Sequence, residues 1–328
     1  MHPHSPRWLL LVLVCLATAS SPAYARLAAA PTTVLRLKAG SAAGQVGITS
    51  QLAPTSFRIG SDGSYRVMDA ANKRILFFNG ASGKLERTIA LTTLKQPTDF
   101  AINNAGVFVL DTGAWKIVRV SLTGKVQSSF AIAPTLKGKI TTIALTADGR
   151  LFALALNESF LLLSANEPLP PENQLLASFI GVPTVRSNAQ FYVDTAVKEL
   201  NVYFISSGIV GAIPLGTYAG TPKFLDVNQG MQPYVTFSNQ GKIEVRRFAV
   251  NGRLLGKLNF DLSAYRTASR RVYVDRQGAV YTMQIGKADL TIQRYIMTDS
   301  AGKPLPAQTT LVTTAPWSPS VLPLPGAA

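Results

Sequence analysis

The side chains best suited to nucleophilic and metal chemistry are confined to the start of this 328-residue chain. Its single cysteine, Cys15, and its two histidines, His2 and His4, all lie within residues 1–25. If that segment is removed, the chain has no means to form disulfides, thiolate or imidazole metal sites, histidine-ligated haem or a Ser-His-Asp triad. Carboxylates, lysines and tyrosines then remain for acid–base chemistry or metal ligation.

Five aspartates are candidate functional carboxylates, and their local sequence divides them into two groups. Asp69 and Asp111 each end a strand-like segment before a tight loop rich in glycine or asparagine. Hydrogen bonds from backbone N–H groups explain that position, so we expect a structural role for both. Asp99, Asp194 and Asp226 adjoin short apolar segments instead, and they are candidate metal ligands if the fold brings those segments together.

Basic residues are in large excess and are the second candidate functional feature. The chain has 32 Lys and Arg against 17 Asp and Glu, and residues 242–276 contain nine basic and three acidic residues. Such a field favours anionic partners, although it also keeps a protein soluble. Trp115, beside Lys116 on a predicted loop, adds an aromatic ring able to stack on a sugar. Two pairs of neighbouring arginines are the other predicted ligand contacts: Arg246, Arg247, Arg270 and Arg271.

Residues 1–25 have the pattern of a secretory signal peptide. A basic start is followed by an apolar run over residues 8–19 and by small residues at Ala23 and Ala25, which fit a cleavage site. The run is shorter than the roughly 20 residues that span a bilayer. We therefore expect a secreted or periplasmic protein with no transmembrane segment in the mature chain. The proline-rich residues 314–328 are expected to form an extended tail.

An internal repeat in the sequence predicts the strands and turns that must position these side chains. Strand–turn–strand patterns recur, and second turns near residues 79–83 and 122–124 give each unit four strands. The first turns lie at residues 61–63, 104–106, 147–149 and 276–278, at intervals of 43, 43 and 129 residues. Slipped copies over residues 191–213 and 223–260 bring the count to six units. The sequence thus predicts an all-β, six-bladed β-propeller of four-stranded blades over residues 26–313.

A ring of blades must also be closed, because its last sheet otherwise has open edges. Residues 33–38 and 309–313 both have strand character and lie outside the six units. We expect one of the two segments to complete the final blade.

The first two units resemble the NHL repeat. They read SDGSYRVMDAANKRI from Ser61 and GVFVLDTGAWKI from Gly106. In that repeat a turn glycine leads into a strand ending in Asp, then a short loop, then a basic residue and an isoleucine. The resemblance implies a six-bladed propeller. Some NHL propellers bind RNA on a basic face, but an exported protein is not expected to meet nucleic acid, and the related amidating lyases depend on histidine.

Three functions remain open at this point. The leading hypothesis is a monomeric, non-catalytic binding or scaffold protein without a cofactor, which engages a partner protein or an anionic cell-envelope polymer through a basic face. The alternative is a calcium-dependent hydrolase or lyase similar to the gluconolactonase and strictosidine synthase groups, with channel carboxylates as ligands. A purely structural envelope component is the third.

Overall fold

The computed structural model describes most of the chain between residues 30 and 307. The described ranges are residues 30–103, 106–146, 149–155, 158–163, 177–184, 189–204, 208–299 and 301–307. The predicted signal peptide, the predicted tail and residues 309–313 lie outside them. No helix within these ranges is long and apolar enough to cross a membrane.

Six antiparallel four-stranded sheets form the described structure, which confirms the predicted all-β six-bladed β-propeller. The strand that comes first in the chain is β1 (Thr32–Lys38). Blade 1 contains β2 (Ser56–Ile59), β3 (Tyr65–Asp69), β4 (Arg74–Phe78) and β5 (Leu85–Ala90). Blade 2 contains β6 (Pro97–Asn103), β7 (Gly106–Asp111), β8 (Lys116–Val120) and β9 (Val126–Ala131). Blade 3 contains β10 (Thr142–Leu145), β11 (Leu151–Leu154), β12 (Glu158–Leu163) and β13 (Ala177–Ile180).

The second half of the ring repeats this order. Blade 4 contains β14 (Val182–Pro183), β15 (Ala189–Asp194), β16 (Glu199–Phe204) and β17 (Gly208–Pro214). Blade 5 contains β18 (Thr221–Val227), β19 (Pro233–Asn239), β20 (Lys242–Phe248) and β21 (Leu254–Asp261). Blade 6 contains β22 (Val272–Val274), β23 (Val280–Ile285), β24 (Asp289–Tyr295) and, on its outer edge, β1.

Strand β1 closes the ring by pairing antiparallel with β24, the last strand of the chain. Leu37 lies opposite Leu290, and Leu35 lies opposite Ile292; all four side chains are buried. Of the two segments expected to complete the final blade, residues 33–38 do so. Because the two ends of the chain share one sheet, blade 6 has its full four strands and the ring is joined by hydrogen bonds.

The apolar core consists of clusters between neighbouring blades. One cluster joins blades 6 and 1, others join blades 1 and 2, 2 and 3, and 5 and 6, and the largest joins blades 3, 4 and 5. A four-stranded sheet with two apolar faces cannot bury both by itself, so each blade depends on the blades beside it. This packing brings the first strands of the blades together around the axis.

The sequence located most strands within a residue or two but missed four of them. Strands β12, β13, β14 and β24 were not predicted. Strand β14 has only two residues, which are too few for an alternating pattern. As a result, the segment from residue 191 was expected to open its blade, whereas β15 is the second strand there and β14 is the first.

Ring closure should depend on the buried side chains of β1. We expect Leu37→Ala to lower the free energy of unfolding by about 2–5 kcal/mol, because it leaves a cavity against Leu290. Arg36→Ala on the same strand is the control. Its side chain is 67% exposed and pairs only with the exposed Asp289, so we expect a change within about 0.5 kcal/mol. Urea unfolding of both variants would check this; equal effects would contradict it.

Candidate functional site

The centre of the ring contains a buried ion pair between two neighbouring blades. Arg58 on β2 donates from Nη2 to both carboxylate oxygens of Asp99 on β6, at 2.9 and 3.0 Å. The backbone N–H of Ile143 on β10 donates to Asp99 Oδ2 at 3.0 Å. Asp99 has no exposed surface, and the Arg58 side chain is 12% exposed. Three consecutive first strands therefore meet at one carboxylate.

Local irregularities in the first strands precede the two aspartates of the channel. The pairing register of β6 with β7 shifts between Pro97 and Asp99. That of β18 with β19 shifts between Phe224 and Asp226. A bulge turns the following side chain away from the regular alternation of the strand. Asp226 is also buried, and its Oδ1 accepts the N–H of Val227 at 2.8 Å.

Two more cations reach the same region from blades 5 and 6. Arg270, just before β22, places Nη2 3.8 Å from Asp99 Oδ2 and donates to the Ile143 carbonyl at 3.5 Å. Within the described part of the chain its Nε has no hydrogen-bond partner. Lys223 on β18 lies close enough to interact electrostatically with Arg270 and Asp99. Among the described residues its ammonium group makes neither a hydrogen bond nor an ion pair.

These neighbours shift the pKa values of the cluster. Burial by itself raises the pKa of Asp99, but Arg58, Arg270 and the Ile143 N–H outweigh it, so the pKa lies below 3.8. Burial, and then the charge of Arg270, lower the pKa of Lys223 from 10.5. Burial, and then the charge of Arg58, lower the pKa of Arg270 to about 10, so it stays charged at neutral pH.

A cavity of about 260 Å³ adjoins this cluster, between the first strands of blades 3 to 6. Its charged lining residues are Lys223, Arg270 and Arg271, and no carboxylate is among its described lining residues. Arg271 donates from Nη2 to the Leu262 carbonyl at 2.7 Å, and its Nε has no partner. The rest of the wall is mainly apolar, with several hydroxyl groups. The cavity is therefore a small apolar chamber with cations on one side.

The charge balance of the channel favours an anion over a metal cation. Arg58, Lys223 and Arg270 interact electrostatically with Asp99, Arg270 also interacts with Asp226, and Arg271 lines the adjoining cavity. In a site shielded from water an excess of positive charge attracts anions and repels Ca²⁺. Within the described ranges no three His, Cys, Asp or Glu side chains gather as metal ligands.

The predicted metal candidates do not converge. Asp99 is held by Arg58, whereas Asp194 ends β15, the second strand of its blade, and not an inner strand. Its Oδ1 accepts the N–H groups of Ala196 and Val197 in a turn, at 2.9 and 3.3 Å. Because the sequence did not predict the short β14, Asp194 was expected beside the innermost strand of its blade. It lies instead at the turn that follows the second strand. Asp226 alone shares the channel region with Asp99.

Asp69 and Asp111 have the structural role expected of them. Asp69 is fully buried and accepts hydrogen bonds from the N–H of Gly47 and from Arg74 Nε, both at 2.9 Å. Asp111 accepts the N–H groups of Lys95 and Gln96 at 2.8 and 2.7 Å. Each carboxylate thus ties the turn after its strand to a loop distant in sequence.

The arginines predicted to form one basic surface are placed differently. Arg246 is 9% exposed and donates to Glu244 and to the carbonyls of Leu215 and Thr217. Arg247 is 2% exposed and bonds to Gln232. These two guanidinium groups are buried and fix the loops of blade 5, so they form no exposed patch. Arg270 and Arg271 line the channel cavity, away from the outer face.

Trp115 lies in the turn between β7 and β8, Lys116 is the first residue of β8, and both line a different, open groove. The groove and the channel cavity have no described lining residue in common. The predicted surface position of Trp115 is therefore consistent with the structure, while the predicted arginine partners lie elsewhere.

Arg58 and Lys223 are the functional candidates that sequence reasoning missed. Each is a lone cation within a short apolar segment that was correctly predicted as the first strand of a blade. First strands line the axis of a propeller, so a charged side chain on such a strand is the signal that was available.

Comparisons with known proteins agree with the fold. A scan against protein-family models finds no match, and neither does a search of curated proteins, so the NHL likeness stays a prediction. Among solved structures, the β-propeller domain of Myceliophteria thermophila Cps50 (Swd1) is 9% identical with a TM-score of 0.50, covering 80% of this chain and 99% of that one. Virginiamycin B lyase from Staphylococcus aureus is 15% identical with a TM-score of 0.48, covering 76% and 82%. At these identities the likenesses show the fold alone.

The buried pair at the channel should be essential for stability. We expect Asp99→Asn to lower the free energy of unfolding by about 3–5 kcal/mol, because it removes the carboxylate that pairs with the buried Arg58 and the nearer carboxylate charge acting on Arg270. Asp194→Asn is the matched control, since an asparagine side chain also accepts turn N–H groups, and we expect it to be nearly neutral. Urea unfolding at pH 7 measures both.

The pH dependence of stability gives a second test of the role of Asp99. The pKa of Asp99 is lowered by folding, so its contribution is complete above 3.8 and is lost as the pH falls through the folded pKa. The stability difference between wild type and Asp99→Asn should therefore shrink below about pH 4. A difference that stays constant down to pH 2 would show that the carboxylate charge is not the cause.

Proposed function

We propose that this protein is an exported, non-catalytic binding propeller that takes a small organic anion into its central channel. The observation that carries the proposal is the cavity of about 260 Å³ lined by Lys223, Arg270 and Arg271, with no carboxylate among its described lining residues. This refines the predicted binding role by moving its site from an outer basic face to the channel.

The donors of the cavity fit an oxyanion. Lys223, Arg270 and Arg271 line the cavity, and among the described residues the buried Nε atoms of the two arginines have no hydrogen-bond partner. Buried donors are costly when no acceptor satisfies them. A carboxylate or phosphate group supplies several acceptor lone pairs at once, and guanidinium groups match its planar geometry.

The remainder of the wall fits the body of an organic molecule. Leu154, Val182 and Phe224 line the cavity together with the hydroxyl-bearing Thr142 and Ser269. Ligand sites in proteins are mostly apolar, with a few polar groups that fix orientation, and they begin at about 300 Å³. At about 260 Å³ the cavity is slightly smaller than that, so a compact anion is the better match than a polymer segment.

Export and the absence of catalysis remain part of the proposal. The signal-peptide pattern of residues 1–25 supports export, and the placement of the aspartates supports binding over the calcium-dependent enzyme. A partner protein or an envelope component that carries the anion is compatible with the same site. The formal net charge of +15 would speed the approach of any such partner at low ionic strength.

Removal of the Lys223 charge should weaken anion binding without harming the fold. We expect Lys223→Met to lower the affinity for hexanoate, benzoate or phenyl phosphate about tenfold or more, because a charged hydrogen bond is lost. Stability should hold or rise, since a buried cation beside Arg270 disappears. Isothermal titration calorimetry measures the affinity, with neutral hexanol and benzyl alcohol as ligand controls.

Lys84→Met, which changes an exposed lysine on blade 1, is the matched control and should bind like wild type. If none of the three anions binds the wild-type protein, or if Lys223→Met binds them equally well, the proposal is wrong.

A further inference from the structure

A groove on blade 2 combines an indole ring with lysines. Its volume is about 580 Å³, and it is open to solvent along the turn between β7 and β8 and the outer strand β9. Trp115 lies in that turn, and three lysines line the groove: Lys95, Lys116 and Lys137. The channel proposal does not involve any of these residues.

The backbone of Trp115 is in the left-handed region, with φ of 50°. Lys73 and Lys198 occupy the corresponding turn positions of blades 1 and 4, four residues after Asp69 and Asp194, and their φ values are 50° and 59°. The turn therefore imposes positive φ in several blades. A bulky residue is uncommon there, and such strain is often retained at functional sites. The turn alone does not explain the choice of tryptophan.

The indole is held in place and partly accessible. Trp115 packs against the apolar cluster between blades 2 and 3, and it also lines the groove. Its carbonyl accepts the N–H of Ile132 at 2.8 Å. Val126, on the same groove, is 42% exposed, which is unusual for a large apolar residue of this protein. The groove thus offers an ordered apolar surface to solvent.

The loop that carries Lys95 is fixed to the same turn. The Asp111 carboxylate accepts the N–H groups of Lys95 and Gln96, and Thr112 N–H donates to the Gln96 carbonyl at 3.0 Å. Gly113 permits this approach, because a Cβ there would lie 2.8 Å from Lys95 Cβ. The backbone of Lys95 and the turn that carries Trp115 are therefore fixed relative to each other.

The positive charge of the groove is not neutralised by the protein. The side chains of Lys95, Lys116 and Lys137 make no hydrogen bond and no ion pair among the described residues. The only described carboxylate on the groove is Asp111, which is 2% exposed and already accepts two N–H groups. Three ammonium groups thus surround one accessible indole.

We propose that this groove binds an acidic polysaccharide, such as a chain of uronic acid units. The indole offers an apolar face for the C–H side of a sugar ring, and lysines are hydrated point charges suited to carboxylates spaced along a flexible polymer. A nucleic-acid strand is a poorer match, because such strands bind along several aromatic rings in succession. The groove presents one tryptophan. This site would act in addition to the channel.

The test uses hexagalacturonate as the probe, with titration calorimetry and tryptophan fluorescence as readouts. We expect Trp115→Lys, which installs the residue found at this turn in blades 1 and 4, to weaken binding about tenfold or more. Trp115→Phe should retain most of the affinity, since it keeps an aromatic ring. Urea unfolding of both variants checks that the fold persists.

Substitution of the groove lysines provides an independent test. Lys95→Gln combined with Lys137→Gln should weaken binding and flatten its dependence on salt, because fewer charge pairs form. Lys223→Met should leave hexagalacturonate binding unchanged, so the groove and the channel proposal can fail separately.

Three results would overturn the groove proposal. One is that maltohexaose, a neutral sugar, binds as tightly as hexagalacturonate. Another is that poly-glutamate or hexathymidylate binds more tightly, which would indicate an acidic protein or a nucleic acid instead. The last is that Trp115→Lys, with its fold intact, binds hexagalacturonate like wild type.

Discussion

Mutual burial of the blade faces is the constraint on which this structure depends. Each sheet is apolar on both sides, and the clusters that bury these sides always join one blade to another. Stability therefore accumulates around a closed ring, and it requires the pairing of β1 with β24 to complete the circle. In the described chain this pairing consists of hydrogen bonds, buried apolar contacts and one exposed ion pair between Arg36 and Asp289.

The same constraint creates the channel site. When six sheets pack face to face, their first strands converge, and any polar side chain on those strands is removed from bulk water. Asp99 would be unstable there without Arg58, and Arg58 without Asp99, because each charge is buried. Arg270 and Lys223 then add positive charge that the nearby carboxylates do not balance. The binding potential of the channel follows from this surplus.

The basic residues of the chain therefore serve different purposes that composition cannot separate. Arg246 and Arg247 fix buried carbonyl and amide groups within blade 5. Arg270 and Lys223 place positive charge at the channel. Lysines on blade 2 remain solvated beside Trp115. In blade 5 arginine holds several acceptors at once, and on blade 2 lysine keeps its charge in water, which agrees with the geometry and hydration of the two groups. Lys223, which is largely buried at the channel, is the exception.

The sequence by itself determined the class of fold, the number of blades and most strand positions, and it narrowed the closing segment to two candidates. These follow from local turn chemistry and from the alternation of apolar residues, and both are visible within 43 residues. It also predicted a structural role for Asp69 and Asp111 from their position before a turn, although the N–H groups that tie them in place include those of Gly47, Lys95 and Gln96 on loops distant in sequence. The short β14 escaped detection, and with it the true position of Asp194.

Only the tertiary structure decided which charges meet. Arg58, Asp99, Lys223 and Arg270 come from four different blades, and nothing in their local sequence encodes that they share one site. Likewise, the sequence suggests a surface patch at residues 246 and 247, but the packing of blade 5 buries both side chains. Secondary structure is a local property of the chain, whereas burial and charge neighbours depend on how the ring closes.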